Sequence, residues 1–356
     1  MRQLVATGVR NARSRQASIH VPSRPGRITR GVRGTLAAAF AVLTISASGV
    51  GAQAKLPTLQ RIDSRGLDTI GPERAPSAVA ISSSGVVAFT GAFDSRNRAV
   101  TIVDTAGRVL ARVGPPGQGP GELGVPLQLA FTSTEVVAVE VATRRVSRFG
   151  FDGALHGSAT MPAPLILVGA TGDSLDMLQW PVGNASKPVL DFIRVSPLSL
   201  SGRVLLSGQA PVLQPLSEEG RQKGNTLASI IYIADGGSVV AANVGSYRLL
   251  GIEPDGRVSF ETRGARVSTR PGETPLYAVG GLQRDGMQRI WALGADQATG
   301  HTFADLYLKG RYLGRLDLPC KGAASISGSF IAILCTASEA ADRDVRLSVY
   351  RIQERR

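Results

Sequence analysis

Five glycines, Gly107, Gly153, Gly202, Gly256 and Gly310, recur at intervals of 46 to 54 residues. Each ends a short polar turn between two runs of strand-forming residues: Thr105-Ala106-Gly107, Asp152-Gly153, Ser201-Gly202, Pro254-Asp255-Gly256 and Lys309-Gly310. A repeat of that length points to a unit of several short strands used again and again along the chain.

The clearest copy of the unit is Arg112 to Leu155. Its loop Gly114–Gly121 (GPPGQGPG) has too much glycine and proline for helix or strand. Val125–Phe131 reads as an apolar strand, and Thr132-Ser133-Thr134 as a turn. Glu135–Val141 (EVVAVEV) is a β-branched second strand and Arg144–Phe151 a third. Asp152-Gly153 is a two-residue hairpin signal, and Ala154–Thr160 continues as a fourth strand. Four short antiparallel strands opened by a loop make one blade of an all-β propeller. The expected blades cover 76–114, 125–162, 164–208, 229–264, 276–319 and 321–356. The last stops after its third strand. Residues 56–70 are expected to supply the missing outer strand and to close a six-bladed ring, which leaves no open edge. Blade three is the least regular of the six. The polar stretch 208–227 joining blades three and four is long for a connection without strand signals, so it reads either as a tolerated insertion or as a flap over the ring.

The loop Gly117-Gln118-Gly119-Pro120-Gly121-Glu122, followed by an apolar strand and then Arg145-Val146, Phe149 and Phe151-Asp152-Gly153, resembles the bacterial exported six-bladed β-propeller families related to NHL repeats, TolB-like in architecture. The motif match covers this one blade; the rest of the chain follows in rhythm. The resemblance implies a fold and frequent export. It does not imply one activity.

Residues 1–54 hold eight arginines and no Asp, Glu or Lys, then an apolar run centred on Leu36–Ile45 and the small-x-small sequence Ala52-Gln53-Ala54. This is the pattern of a secretory signal peptide with a long basic region. The run is shorter than the ~20 apolar residues that span a bilayer, so no membrane span is expected after signal removal. The chain from residue 55 onward is expected to be the exported propeller, periplasmic or extracellular. Its formal charge falls from +13 to about +5 once those arginines leave. The remaining charge is scattered, and no basic stripe with interleaved aromatics points to nucleic acid.

Pro-Gly-Glu or its variant opens three blades: Gly71-Pro72-Glu73, Pro120-Gly121-Glu122 and Pro271-Gly272-Glu273. Glu73, Glu122 and Glu273 would then ring the face where chains enter the inner strands. Glu140, Asn243 and Asp296, near the ends of second strands, would point the same way. Such carboxylates suit a divalent cation such as calcium or a basic ligand. The alternative is that each glutamate serves its own turn by accepting local backbone N–H groups. Glu140 and Asn243 are the residue types of a gluconolactonase-like metal site, although the surrounding motifs do not match. His156 and His301 lack zinc-ligand spacing, and neither a Gly-x-Ser-x-Gly elbow nor a phosphate-binding loop appears. The functional expectation is an exported binding module for an unknown small molecule or protein on the loop face. A metal-dependent lactonase or esterase and a protein-docking scaffold are the alternatives. Cys320 and Cys335, an even pair in an exported chain, lie symmetrically about Ser327-Gly328 and are expected to face each other across a hairpin as a disulfide.

Overall fold

The computed structural model describes residues 56–66, 78–90, 100–124, 127–161, 165–179, 191–199, 202–207, 230–235, 238–243, 248–263, 277–296, 301–336 and 345–354. All belong to a unit running from Ala52 to Arg356. Twenty-four strands form six antiparallel sheets of four, and no helix occurs among the described residues. The first five blades are consecutive in the chain. Blade one is β2 (Val79–Ile81), β3 (Val87–Thr90), β4 (Val100–Val103) and β5 (Val109–Val113). Blade two is β6 (Leu127–Phe131), β7 (Glu135–Glu140), β8 (Arg145–Gly150) and β9 (Leu155–Thr160). Blade three is β10 (Leu165–Thr171), β11 (Ser174–Gln179), β12 (Asp191–Val195) and β13 (Gly202–Ser207). Blade four is β14 (Ile230–Asp235), β15 (Ser238–Asn243), β16 (Arg248–Ile252) and β17 (Val258–Arg263). Blade five is β18 (Tyr277–Arg284), β19 (Ile290–Asp296), β20 (Thr302–Leu308) and β21 (Arg311–Asp317). Blade six joins β22 (Gly322–Ser327), β23 (Phe330–Thr336) and β24 (Val345–Gln353) to β1 (Thr58–Gly66), in the order β1-β24-β23-β22. The amino-terminal strand therefore closes the ring of a six-bladed β-propeller.

The core lies between blades. Blades one and six share Ile81, Phe89, Phe330, Leu334 and Leu347, and blades one and two share Ile102, Leu123, Val136 and Phe149. Middle strands are therefore covered on both faces. This explains why β7 is apolar without alternation, its Val136–Val139 run wholly buried. The outermost β9 alternates between exposed and half-buried positions instead.

One irregularity recurs in every blade. Where the outer strand pairs with the third, it carries one extra residue: Leu110, His156, Leu205, Ser259 and Leu313 are skipped in blades one to five. In blade six the skipped residue is Ile62 of β1. These are β-bulges, which increase local twist. The amino-terminal strand thus reproduces the irregular geometry of an outer strand as well as its place in the sheet.

Three local expectations change. Gly202 is the first residue of β13, opposite Val195, and not a turn residue; the turn falls at Pro197–Ser199. The inner strand of blade five, expected from the sequence over Leu276–Gly280, runs on to Arg284, because the paired glycines Gly280-Gly281 make a bulge between Val279 and Gly281. The blade-six hairpin turns at Gly328-Ser329, with Gly328 at φ +57°, so its register sets Ser327 opposite Phe330 and Gly322 opposite Cys335. Cys320 is thus not the cross-strand partner of Cys335; it lies two residues before that partner.

The two cysteines are nonetheless bonded, with Cα atoms 5.4 Å apart. Cys320 sits in the link between blades five and six, where its carbonyl accepts the Thr302 hydroxyl at 2.7 Å. The bridge ties that link to β23. Replacement of both cysteines by serine is expected to lower stability by about 3 kcal/mol, the chain-entropy value for a loop of this length, as read by urea denaturation without reductant.

Candidate functional site

Strand direction defines the two mouths of the axial channel. The inner strands β2, β6, β10, β14, β18 and β22 all enter from one end and turn into the second strands at the other. The one described Pro-Gly-Glu loop, Pro120-Gly121-Glu122, precedes β6 and belongs to the entry end. Of the residues expected there, Glu73 and Glu273 lie outside the described residues. Asn243 pairs with Ile230 and Asp296 with Tyr277, at the starts of β14 and β18. Their backbones are on the entry side.

Glu122 and Glu140 are occupied by the fold. Glu140, at the end of β7, is fully buried and accepts the Arg145 Nε–H at 2.6 Å and the Gly124 N–H at 2.5 Å. Arg145 then donates through Nη1 to the carbonyls of Gln118 (2.6 Å) and Gly119 (3.0 Å), and through Nη2 to that of Glu122. The Glu122 carboxylate turns back onto the Gly119 N–H at 2.7 Å. The Gly/Pro loop is thereby wrapped around one buried ion pair. Gly117 and Gly119 give room for the Glu122 carboxylate, since a Cβ at Gly117 would overlap it. Of the residues that carry the resemblance, the Gly117–Glu122 loop and Arg145 serve this internal knot, while Phe149 lies in the core between blades one and two and Asp152-Gly153 form the turn after β8. Related braces recur: Asp176 of β11 holds Arg194 of β12 at 2.7 Å, and Asp305 of β20 holds Arg315 of β21 at 2.7 Å. Among the described residues, no three His, Cys, Asp or Glu side chains gather as a cation site.

At the opposite mouth lies a pocket of about 380 Å³. Its described walls come from the last residues of β2, β6, β10, β18 and β22 and from the turns that follow four of them. Ala80, Ala130 and Ala170 give it small apolar surfaces. Ser83, Thr171, Ser325, Ser327, Gln283 and Gln288 supply hydroxyls and amides, with Arg284 and the acids Asp176 and Asp285 beside them. Both acids are internally engaged. Asp176 accepts Arg194 Nε–H through one oxygen, and through the other the Thr171 hydroxyl (2.7 Å) and Arg194 Nη2–H. Asp285 accepts the N–H groups of Met287 and Arg289 at 2.9 and 3.0 Å, Arg289 Nε–H at 2.6 Å and Trp291 Nε1–H at 2.8 Å. Arg289 in turn reaches Glu354 beyond β24 at 2.6 Å.

Neighbouring blades are laced at this mouth. The Ile81 N–H donates to Ser325 Oγ at 3.2 Å, and the Gly286 N–H to the Gly328 carbonyl at 2.7 Å. Nearer the entry end, Gln128 of β6 clamps both backbone groups of Leu167 in β10. The Ser133 hydroxyl and N–H both donate to Asp173, and these bonds, the hydroxyl's first, hold that carboxyl below the usual carboxylate range. Sequence reasoning used Ser82-Ser83-Ser84, Thr171-Gly172, Asp285-Gly286 and Ser327-Gly328 only as breaks between strands or passed over them. The available signal was their shared place, directly after each inner strand.

These features define a six-bladed β-propeller with a polar axial pocket at the mouth formed by the inner-strand turns. A member of the DUF4221 family from Bacteroides vulgatus matches this fold with a TM-score of 0.54 over 84% of this chain and 99% of its own, at 10% identity. Virginiamycin B lyase from Staphylococcus aureus matches with a TM-score of 0.47 at 12% identity, over 83% of this chain and 99% of its own. Regucalcin, a calcium-binding protein from Agrobacterium tumefaciens, matches with a TM-score of 0.43 at 14% identity, over 86% of this chain and 97% of its own. Identities this low speak to fold alone, and the two lower scores support no further argument. No protein-family model matches the chain, and no curated protein matches its sequence. Among the described residues, no helix is long and apolar enough to cross a membrane.

Proposed function

We propose that the protein is an exported binding module that holds a small polar molecule in the axial pocket. The observation that carries this reading is the pocket itself: five blades converge on one volume of about 380 Å³ with hydroxyls, amides and small apolar patches in its wall. That is the makeup of a small-ligand site, which needs a few placed polar groups on a rigid frame. The lacing between blades supplies the rigidity. The arginine-rich, apolar amino terminus and the disulfide support export into an oxidising compartment. Ligand capture at the Pro-Gly-Glu end has less support, because Glu122 and Glu140 are bound up in the loop knot.

A small-molecule panel tested by thermal shift on residues 55–356 checks the reading. A ligand at one hundred times its dissociation constant stabilises the fold by about 2.7 kcal/mol. Ser83 is exposed at the rim, so Ser83→Trp is expected to leave the unliganded melting temperature unchanged and to abolish the shift. An undiminished shift in that variant places the ligand elsewhere.

A further inference from the structure

Five turns share one bonding pattern, in which the first residue's N–H donates to the carbonyl four residues on and the fourth residue's N–H returns to the first residue's carbonyl. They begin at Ser82, Asp104, Gly150, Glu253 and Asp285. The fourth position takes a left-handed conformation, and four of the turns place glycine there: Gly85, Gly107, Gly153 and Gly256, with φ from +73° to +90°. The fifth has Gln288, at φ +62°. Left-handed backbone disfavours any residue with a Cβ, and long side chains are uncommon there. Such strain persists where the surroundings over-determine it, and it collects at ligand clamps.

Both conditions hold at Gln288. The described non-glycine residues with positive φ are Arg144, Gln288 and Lys309, and of these Gln288 alone lines the pocket. Its turn is also heavily braced. Asp285, 3% exposed, gathers four hydrogen bonds, Arg289 continues to Glu354, and the Gly286 N–H is tied to blade six. The equivalent turn of blade one is held by serine hydroxyls.

We infer that Gln288 is the specificity-determining residue of the axial pocket, and that the ligand is a neutral, hydroxyl-rich molecule of the sugar or sugar-alcohol class; this rests on the pocket being the binding site. An amide offers donors and an acceptor on one rigid plane, which matches a ligand hydroxyl that both gives and receives. Gln283, Ser83, Ser325 and Ser327 extend the same two-way chemistry around the wall, and the Thr171 hydroxyl, which donates to Asp176, adds an acceptor. The carboxylates of Asp176 and Asp285 have both oxygens engaged by protein donors, so they do not present a site for a cation, and Arg284, the other charged residue of the wall, is engaged within the protein as well.

Wild-type residues 55–356, Gln288→Gly, Gln288→Asn and Ser83→Trp are titrated with D-glucose, D-galactose, maltose and mannitol by calorimetry and thermal shift. At least one of these is expected to bind the wild type and not Ser83→Trp. Gln288→Gly relieves the backbone, so its unliganded melting temperature is expected to equal or exceed that of the wild type while its affinity falls roughly tenfold. Asparagine, which keeps the amide and tolerates the left-handed region, is expected to fall between the two. Equal affinity in the wild type and Gln288→Gly overturns the role of Gln288 and leaves the pocket standing. No binding of any of the four overturns the sugar-like ligand, and binding undiminished in Ser83→Trp overturns its place in the pocket.

Discussion

Arg145→Ala is expected to destabilise the propeller by roughly 3–5 kcal/mol, the cost of removing one partner from a buried ion pair. Arg145 has a side chain only 12% exposed, and its partner Glu140 is wholly buried. Without the guanidinium, Glu140 keeps only the Gly124 N–H. The carbonyls of Gln118, Gly119 and Glu122 lose their donor in the same step. The loop that enters blade two then keeps only its own bonds, such as that from the Gly119 N–H to the Glu122 carboxylate. Arg145→Lys is expected to recover little, because an ammonium cannot present a planar fork to a carboxylate and three carbonyls together. The double variant Arg145→Met with Glu140→Leu removes the unpaired charge and is expected to lose less than Arg145→Ala. Urea denaturation of the three variants checks this. A loss below about 1 kcal/mol for Arg145→Ala, the scale of an exposed salt bridge, would show that the loop holds its shape without the knot.

A chain beginning at residue 67 is expected not to fold as a monomer. It lacks β1, whose pairing with β24 runs from Thr58 opposite Gln353 to Gly66 opposite Arg346. It also lacks Leu56 and Leu59, which pack on Trp291, Ile331, Ile333 and Tyr350 between blades five and six. The exposed edge of β24 would offer a row of unpaired backbone groups to any other strand. The expected result is aggregation or strand exchange on size-exclusion chromatography, with loss of a cooperative thermal transition. Adding a peptide of residues 55–67 in trans is expected to restore part of the monomer. A stable truncated monomer would mean that five and three-quarter blades suffice and that β1 contributes little.

The blade period was legible because it rests on local chemistry. Turn residues such as Thr105-Ala106-Gly107, Asp152-Gly153 and Pro254-Asp255-Gly256 favour left-handed backbone at a fixed distance from β-branched runs. Blade-six closure was legible too, since a blade with three strands at one end of the chain and a lone strand at the other leaves one economical pairing. Two of the errors were also local. Gly280-Gly281 reads as a break and is a bulge, because glycine serves both and only the neighbouring strand chooses. Ser327-Gly328 reads as the hairpin turn, yet the register is shifted by a residue at the turn, since both faces of β23 are covered and alternation does not fix it.

The candidate site was less legible. Glu140 stood out in sequence as a polar residue ending an apolar strand, but nothing local says whether such a carboxylate meets a ligand or an arginine. Arg145, five residues on, answers it only once β7 and β8 pair. Gln288 offered no signal apart from its place in a turn; its conformation becomes informative when Gly85 is seen in the same bonding pattern. By itself the sequence determined the all-β class, the number of blades and the strand that closes the ring, because turn chemistry and strand propensity act over a few residues. Only the meeting of the blades decided where the described pocket lies and which of the described carboxylates are already satisfied. Those properties depend on side chains from five blades meeting across up to about 250 residues of chain, as Ser83 and Ser327 do in the pocket wall, and no short-range pattern encodes such a meeting.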